Sequence, residues 1–168
     1  MGILQEQLGD EEVDYHVLYT LVAQDNFSGT AEELLAKYNN AKLNWEITLE
    51  NQELEKDITT RQSRISAEEA KRSAKEARGE NLTADDYTIT LDMLRNNEQT
   101  RAKQVENAYK AWANNPESKE LQQAYYNSMA ELNNAQAETD ETERKQIETA
   151  ANEALDSLEK SNNDLSAV

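Results

Sequence analysis

The feature that most constrains this chain is a run of 49 residues between Gly29 and Gly79 that contains neither glycine nor proline. C-terminal to Gly79 only one further residue of these two types occurs, Pro116. Gly and Pro interrupt helices more strongly than any other residues, and the run is rich in Ala, Glu, Lys and Leu, which form helices well. The run therefore predicts a single long helix over residues 31–78.

Signals of helix ends flank this run. Thr30 and Glu33 have the spacing of a capping box, which predicts a helix start at Thr30. Gly79 follows two cations and tolerates the left-handed conformation that ends many helices. Thr83 with Asp86 three residues later repeats the capping spacing. These signals predict a second long helix over 84–113.

A third helix is predicted over 117–160, and a short one over 10–24. Asn115 is the expected cap of the third helix, with Pro116 as its first residue. Asp140 begins another capping pattern, so the third helix could be broken near that residue. The acidic C-terminal end of the chain is expected to fray. Tyr109, Trp112, Tyr125 and Tyr126 lie near Pro116 and are expected to hold that bend together.

Apolar residues recur at steps of three, four or seven, which predicts one narrow apolar stripe on each long helix, as in a coiled coil. Four alanines at positions 67–77 are expected to lie against bulky residues at 87–94. The predicted stripe residues are, helix by helix, Leu43, Ile47, Leu54, Ile58 and Ile65; Ala67, Ala70, Ala74 and Ala77; Tyr87, Leu91, Leu94, Ala102, Val105, Tyr109 and Trp112; and Leu121, Tyr125, Met129 and Leu132.

The predicted fold class is all-α. A helix over 31–78 would be about 72 Å long, whereas a compact chain of this size has a radius of gyration of about 15 Å. We therefore expect an elongated antiparallel helical hairpin, or three-helix coiled-coil bundle, over residues 29–168, with a short N-terminal helix in a separate docking segment, residues 1–28. The alternative is a compact bundle of ordinary amphipathic helices.

Charge excludes several classes of partner. The net charge is −17, which repels nucleic-acid phosphate and anionic lipid, so we expect no direct nucleic-acid partner. No run reaches the ~18 consecutive apolar residues of a membrane span, and the N-terminus lacks the pattern of a secretory signal. We expect no membrane insertion, and a chain that is cytoplasmic or exported by a signal-independent route.

One stretch, residues 61–80, is basic, with six cations against four acids. It lies beside the predicted bend at Gly79. The favoured interpretation is a solvated helix face that balances nearby acids, and the alternative is a contact site for an acidic partner. The cations are Arg61, Arg64, Lys71, Arg72, Lys75 and Arg78.

No pattern in the sequence predicts catalysis, a cofactor or a metal. His16 is the only histidine and no cysteine occurs, whereas helical metal sites draw a Glu-x-x-His pair from each of two helices. The chain also lacks a Gly-x-Ser-x-Gly nucleophile elbow and a glycine-rich phosphate loop. We therefore expect a protein that is not an enzyme.

The N-terminal segment is the most apolar part of the chain. Its apolar residues follow helical steps, so the segment is expected either to fold back on the hairpin or to dock in a groove of another subunit. The residues predicted to contact a partner are Val13, Val17, Leu18, Leu21, Val22 and Phe27.

Three functions are compatible with these features. The preferred one is a structural or assembly protein that contacts other protein subunits through helices and associates with copies of itself. The second is an acidic mimic of nucleic acid that inhibits a DNA- or RNA-binding enzyme. The third is a helical chaperone or adaptor that masks an apolar helix of its partner.

Overall fold

The computed structural model describes residues Thr30–Ser166, and all its regular elements are helices. The predicted all-α class is confirmed, and no strand occurs within this range. The short helix predicted over 10–24 lies outside the described residues. In chain order the elements are α1 (Ala31–Ala77), a short 3-10 helix (Ala84–Tyr87), α2 (Thr88–Asn114) and α3 (Lys119–Ser166).

Gly79 ends α1 as predicted. Its φ angle is +78°, in the left-handed region that favours glycine. The amide of Gly79 donates to the carbonyl of Glu76 at 2.9 Å, and the amide of Glu80 donates to the carbonyl of Lys75 at 3.2 Å. This pair of bonds is a Schellman motif, which satisfies carbonyls that the last helical turn leaves free.

The helix starts agree with prediction at α1 but not at α3. Thr30 Oγ1 accepts a hydrogen bond from the Glu33 amide at 3.2 Å. The expectation that Pro116 opens α3 is wrong, because Pro116 lies in a turn and Ser118 caps the helix instead. The Ser118 hydroxyl accepts from the Leu121 amide at 3.2 Å, a bond that supplies the cap directly at the point where the chain becomes helical.

α3 is unbroken from Lys119 to Ser166. The capping pattern at Asp140 is therefore not used, and the end that was expected to fray is helical to Ser166.

The chain divides into two compact units. The first unit holds the described residues up to Glu53 together with Glu106–Tyr125, and the second holds Leu54–Val105 together with the described residues from Tyr126 onward. Every long helix contributes a segment to each unit. The predicted boundary at residues 28 and 29 lies outside the described range and stays a prediction.

Within each unit, the contacts between α1 and α2 are antiparallel. In the second unit Lys75 bonds Asp86 at 2.8 Å, whereas Arg61, earlier in α1, bonds Thr100, later in α2, at 2.7 Å. In the first unit the Asn51 side chain bonds that of Asn107, and the Asn40 side chain bonds the carbonyl of Asn114.

The covered face of α1 follows alternate steps of three and four residues. From residue 43 to residue 77, every residue that is not exposed falls on this series. Six of its ten members are polar or charged. This series, which we call the seam of α1, therefore has regular spacing but contains both apolar and polar side chains. The members are Asn44, Ile47, Asn51, Leu54, Ile58, Arg61, Ile65, Glu68, Arg72 and Lys75.

This seam corrects part of the predicted stripe on α1. Ile47, Ile58 and Ile65 are buried as expected, but Leu43 is 38% exposed. The four alanines at 67–77 are all exposed, and the covered positions there belong to Glu68, Arg72 and Lys75. The prediction failed because it followed apolar residues alone, whereas polar side chains continue the seam, and Arg72 and Lys75 bond groups of the 3-10 helix and α2.

The seams of α2 and α3 show the same departure. On α2, Leu91 and Leu94 are buried as predicted, but Ala102 and Tyr109 are exposed. The buried positions along that part of α2 are Asn97, Thr100, Gln104, Asn107 and Ala111. On α3, Met129 is exposed, and the covered series is Leu121, Tyr125, Ser128, Leu132, Ala135, Thr139, Thr142, Gln146, Thr149 and Glu153.

Candidate helix–helix interfaces

Arg72 is the central polar contact between α1 and α2 in the second unit. Its guanidinium donates to the Thr90 hydroxyl at 2.7 Å and to the Asp86 carbonyl at 3.2 Å. The same group lies over the Tyr87 ring, 4.8 Å from the ring centroid, a distance at which cation–π attraction operates. A planar guanidinium makes these contacts together, which a lysine ammonium could not reproduce.

Lys75 and Asp86 form an ion pair beside this cluster. The lysine Nζ lies 2.8 Å from Asp86 Oδ2, and both side chains are about three-quarters covered. The Asp86 carboxylate also accepts from the Thr83 amide at 2.7 Å. The hydrogen bond from Lys75, followed by that from the Thr83 amide, lowers the pKa of Asp86 below its ordinary value of 3.8, because both stabilise the charged form.

The rest of the predicted basic stretch does not gather on one surface. Arg61 donates to the Thr100 hydroxyl and to the Asn97 side chain. Lys71 pairs with Glu68 on the same helix, and Arg78 pairs with Glu80. Arg64 is exposed, and within the described range no hydrogen bond or ion pair of its side chain is found. Lys71, Lys75 and Arg78 thus pair with acids of the chain itself, whereas Arg61 and Arg72 bond neutral groups; the role of the basic stretch stays a prediction.

α3 contacts α2 and the 3-10 helix through polar groups in the second unit. Arg101 of α2 bonds Glu131 of α3 at 3.1 Å and Glu55 of α1 at 2.9 Å. Two side chains of α3 hold the first residue of the 3-10 helix: the Glu153 carboxylate accepts from the Ala84 amide, and the Gln146 amide donates to the Ala84 carbonyl at 3.0 Å.

Aromatic rings hold α2 and α3 together near Pro116 in the first unit. The Tyr125 ring lies 5.7 Å from that of Tyr109 and 5.6 Å from that of Trp112, centroid to centroid. The predicted aromatic staple is therefore confirmed for these three residues. Tyr126 is exposed and is not one of the rings in these two contacts.

The outer face of α3 carries an apolar stripe near its C-terminal end, which we call the leucine stripe. Its large members are Ile147, Leu155, Leu158 and Leu165, which are 69%, 62%, 59% and 75% exposed. At 100° per residue they lie on the side of the helix opposite Gln146, Thr149 and Glu153, which face the chain. Every residue over 154–166 is exposed, so no described part of the chain covers this end of the helix.

Sequence reasoning missed the leucine stripe and placed the partner contact elsewhere. The predicted contact residues Val13, Val17, Leu18, Leu21, Val22 and Phe27 lie outside the described residues and stay a prediction. The signal that was available is the spacing of Leu155, Leu158 and Leu165, with Asn162 completing steps of three, four and three. The stripe is absent from the predicted core residues, and the chain does not bury it.

Within the described range no group of His, Asp or Glu side chains could hold a metal ion. Of the described helices, none has an apolar stretch long enough to cross a membrane. Comparisons of the chain with known protein families, with curated proteins and with solved structures found no match.

Proposed function

We propose that this protein is a non-enzymatic assembly protein, which acts through coiled-coil contacts between its helices and other protein subunits, including copies of itself. The observation that carries the proposal is the leucine stripe. Four large aliphatic side chains that are each more than half exposed line one side of a helix whose last 13 described residues are uncovered.

Two physical arguments support a partner for this surface. Exposed apolar side chains scattered singly are normal, whereas an apolar stripe along one side of a helix marks a contact surface. The end of α3 also lacks packing against the described part of the chain, whereas helix stability in proteins comes mainly from the burial of an apolar face.

The mixed seams inside the chain support the same role. Polar groups at seam positions specify register and partner at some cost in stability. The pairing of Asn51 with Asn107, and of Arg61 with Thr100, fixes which residues of α1 and α2 lie opposite each other. Chains built this way are suited to assemblies in which the alignment of helices matters.

Sedimentation and small-angle scattering of the full chain test the proposal, together with the native mass of the tagged protein in an extract of its own cells. The expected result is a species heavier than one chain in at least one setting, formed with its own copies or with another protein. A single chain at every accessible concentration and in the extract would refute the proposal.

A further inference from the structure

We propose that the leucine stripe pairs with the same stripe of a second copy of this chain, in a parallel two-stranded coiled coil over residues 151–166. This inference rests on the proposed function and names its partner and contact surface. It is carried by three observations: the exposure of the stripe, the position of Asn162 within it, and the distribution of charge around it.

The three leucines of the stripe have the spacing of a coiled-coil seam, and Ile147 lies outside the paired segment. Leu155 and Leu158 occupy the first and fourth positions of a seven-residue repeat, and Asn162 and Leu165 occupy the same two positions of the next. Ala151 extends the seam by one step toward the N-terminus. The helix is already formed as the continuation of α3, so pairing does not pay the cost of helix nucleation, which makes short isolated helices unstable.

Asn162 favours two parallel strands. An asparagine at the first repeat position pairs with the same residue of the second strand, and it is the substitution best known to fix register and a two-stranded state. In an antiparallel pair Asn162 would instead face a leucine, which would leave its amide buried without a partner. The residue therefore selects one orientation.

The acidic side chains near the stripe do not oppose this pairing. Glu153, Asp156 and Asp164 fall at outer repeat positions, away from the second strand. The residues that flank the seam and face across a parallel pair are Ala154 against Glu159 and Ser161 against Ser166, so no two like charges meet. Pairing is expected to end at Glu148, where a seam position would bring two carboxylates together.

Residues 1–28 are a poorer occupant of the stripe. That segment carries six acids and neither lysine nor arginine. If this segment lay along the stripe, its acids would come near Asp156, Glu159 and Asp164, and no shared repeat would hold the two sets of acids apart. In a second copy of the chain, in contrast, the seven-residue repeat places Glu153, Asp156 and Asp164 on the side away from the first copy.

Equilibrium sedimentation of the full chain, with Leu158→Asp and its matched control Ser157→Asp, tests the inference. Both variants add one negative charge to an exposed residue of the same turn, but only the first lies on the stripe. We expect the wild type and Ser157→Asp to form dimers alike, and Leu158→Asp to raise the dimer dissociation constant about 100-fold or more, because each dimer loses two buried leucines. Circular dichroism checks that both variants keep their helicity.

Cysteine crosslinking tests the orientation, since the chain has no cysteine of its own. Under mild oxidation Leu165→Cys is expected to give a disulfide-linked dimer, because a parallel pair places the two copies of residue 165 side by side. Ser157→Cys, on an outer position, is the control and is expected to give little disulfide-linked dimer, because its two copies lie on opposite sides of the pair. Equal crosslinking of the two variants would overturn the parallel register.

The remaining outcomes separate this inference from the proposed function. If the chain assembles and Leu158→Asp has no effect, or if only the double variant Leu18→Asp/Leu21→Asp prevents assembly, the inference is overturned and the proposed function stands. The same holds if the chain binds only a different protein. A wild-type chain that is monomeric in every setting overturns both.

Discussion

Two parts of α3 differ in what covers them. Over residues 139–153 the inner side is polar and covered, with Thr139, Gln146 and Glu153 among its members, whereas over residues 154–166, which carry the three leucines of the leucine stripe, every side of the helix is exposed. Apolar area left in water costs about 25 cal/mol per Å². The leucine-bearing end of α3 therefore gains free energy when another chain covers it.

Over residues 139–153 hydrogen-bond partners, rather than apolar character, accompany the covered side. Gln146 and Glu153 face inward, where the 3-10 helix presents the amide and the carbonyl of Ala84. Beyond Glu153 no described part of the chain covers α3, and its leucines are exposed. The following changes test this difference between covered and exposed positions across the described helices.

The largest effect is expected from the apolar core. Leu91 is 2% exposed, so Leu91→Ala should lower the free energy of unfolding by about 2–5 kcal/mol through lost burial and a cavity. Leu158→Ala, on the outer stripe, should change it by less than about 0.5 kcal/mol. Urea unfolding at a concentration where sedimentation finds single chains is the measurement. Equal losses for the two variants would contradict the distinction between the covered core and the exposed stripe.

The next effect is expected at Arg72. Arg72→Met removes the donors to Thr90 and to the Asp86 carbonyl and leaves the buried Thr90 hydroxyl without its cross-helix partner. We expect a loss of about 1–3 kcal/mol in the free energy of unfolding. Arg64→Met is the matched control and should have little effect, because Arg64 is exposed. If Arg64→Met lowered the free energy of unfolding as much as Arg72→Met, the loss would come from removing a positive charge from α1 and not from the contacts of Arg72.

A smaller and pH-dependent effect is expected from Asp86. Its pKa in the folded chain lies below the ordinary value of 3.8, chiefly because of Lys75, so its contribution to stability is present above pH 3.8 and disappears as the pH falls through the folded value. Asp86→Asn should therefore destabilise the chain at neutral pH, and the difference from wild type should shrink in acid. Unfolding curves between pH 7 and pH 2 measure this. A difference that stays constant with pH would contradict the ion pair.

The smallest effect is expected on the inner side of α3. Thr139 is buried, and its hydroxyl donates to the carbonyl of Ala135 on its own helix. Thr139→Val keeps the shape and removes a bond that does not link two helices, so we expect the free energy of unfolding to change by less than about 0.5 kcal/mol, or to rise. Thermal unfolding measures it. A loss of several kcal/mol would show that Thr139 has a cross-helix role.

Much of the fold was predictable from local signals. The absence of Gly and Pro between Gly29 and Gly79, and the caps at Thr30 and Thr83, fixed the existence and nearly the ends of α1 and α2. The bounds of α3 were less accurate, since Ser118, rather than Asn115, supplied the cap. Asn115 and Ser118 are both good capping residues, and the free energies of the two alternative caps differ little.

The seams were predictable only in part. Apolar residues such as Ile58, Ile65 and Leu91 were placed correctly, because burial of large aliphatic side chains dominates wherever they occur. Where the seam changes to Asn97, Thr100 and Asn107, no single-residue preference signals burial, because a polar residue is buried only if a partner lies opposite. That partner belongs to another helix.

The sequence by itself determined that the chain over residues 30–166 is helical, roughly where the helices of that range begin and end, and that the chain is strongly acidic. These properties depend on residues close together along the chain. Only the tertiary structure decided which side of each helix is covered. Arg72, Gln146 and Glu153 turn inward to groups that are distant in sequence or held in the turn before α2, whereas the end of α3 that carries the leucines meets no other described part of the chain.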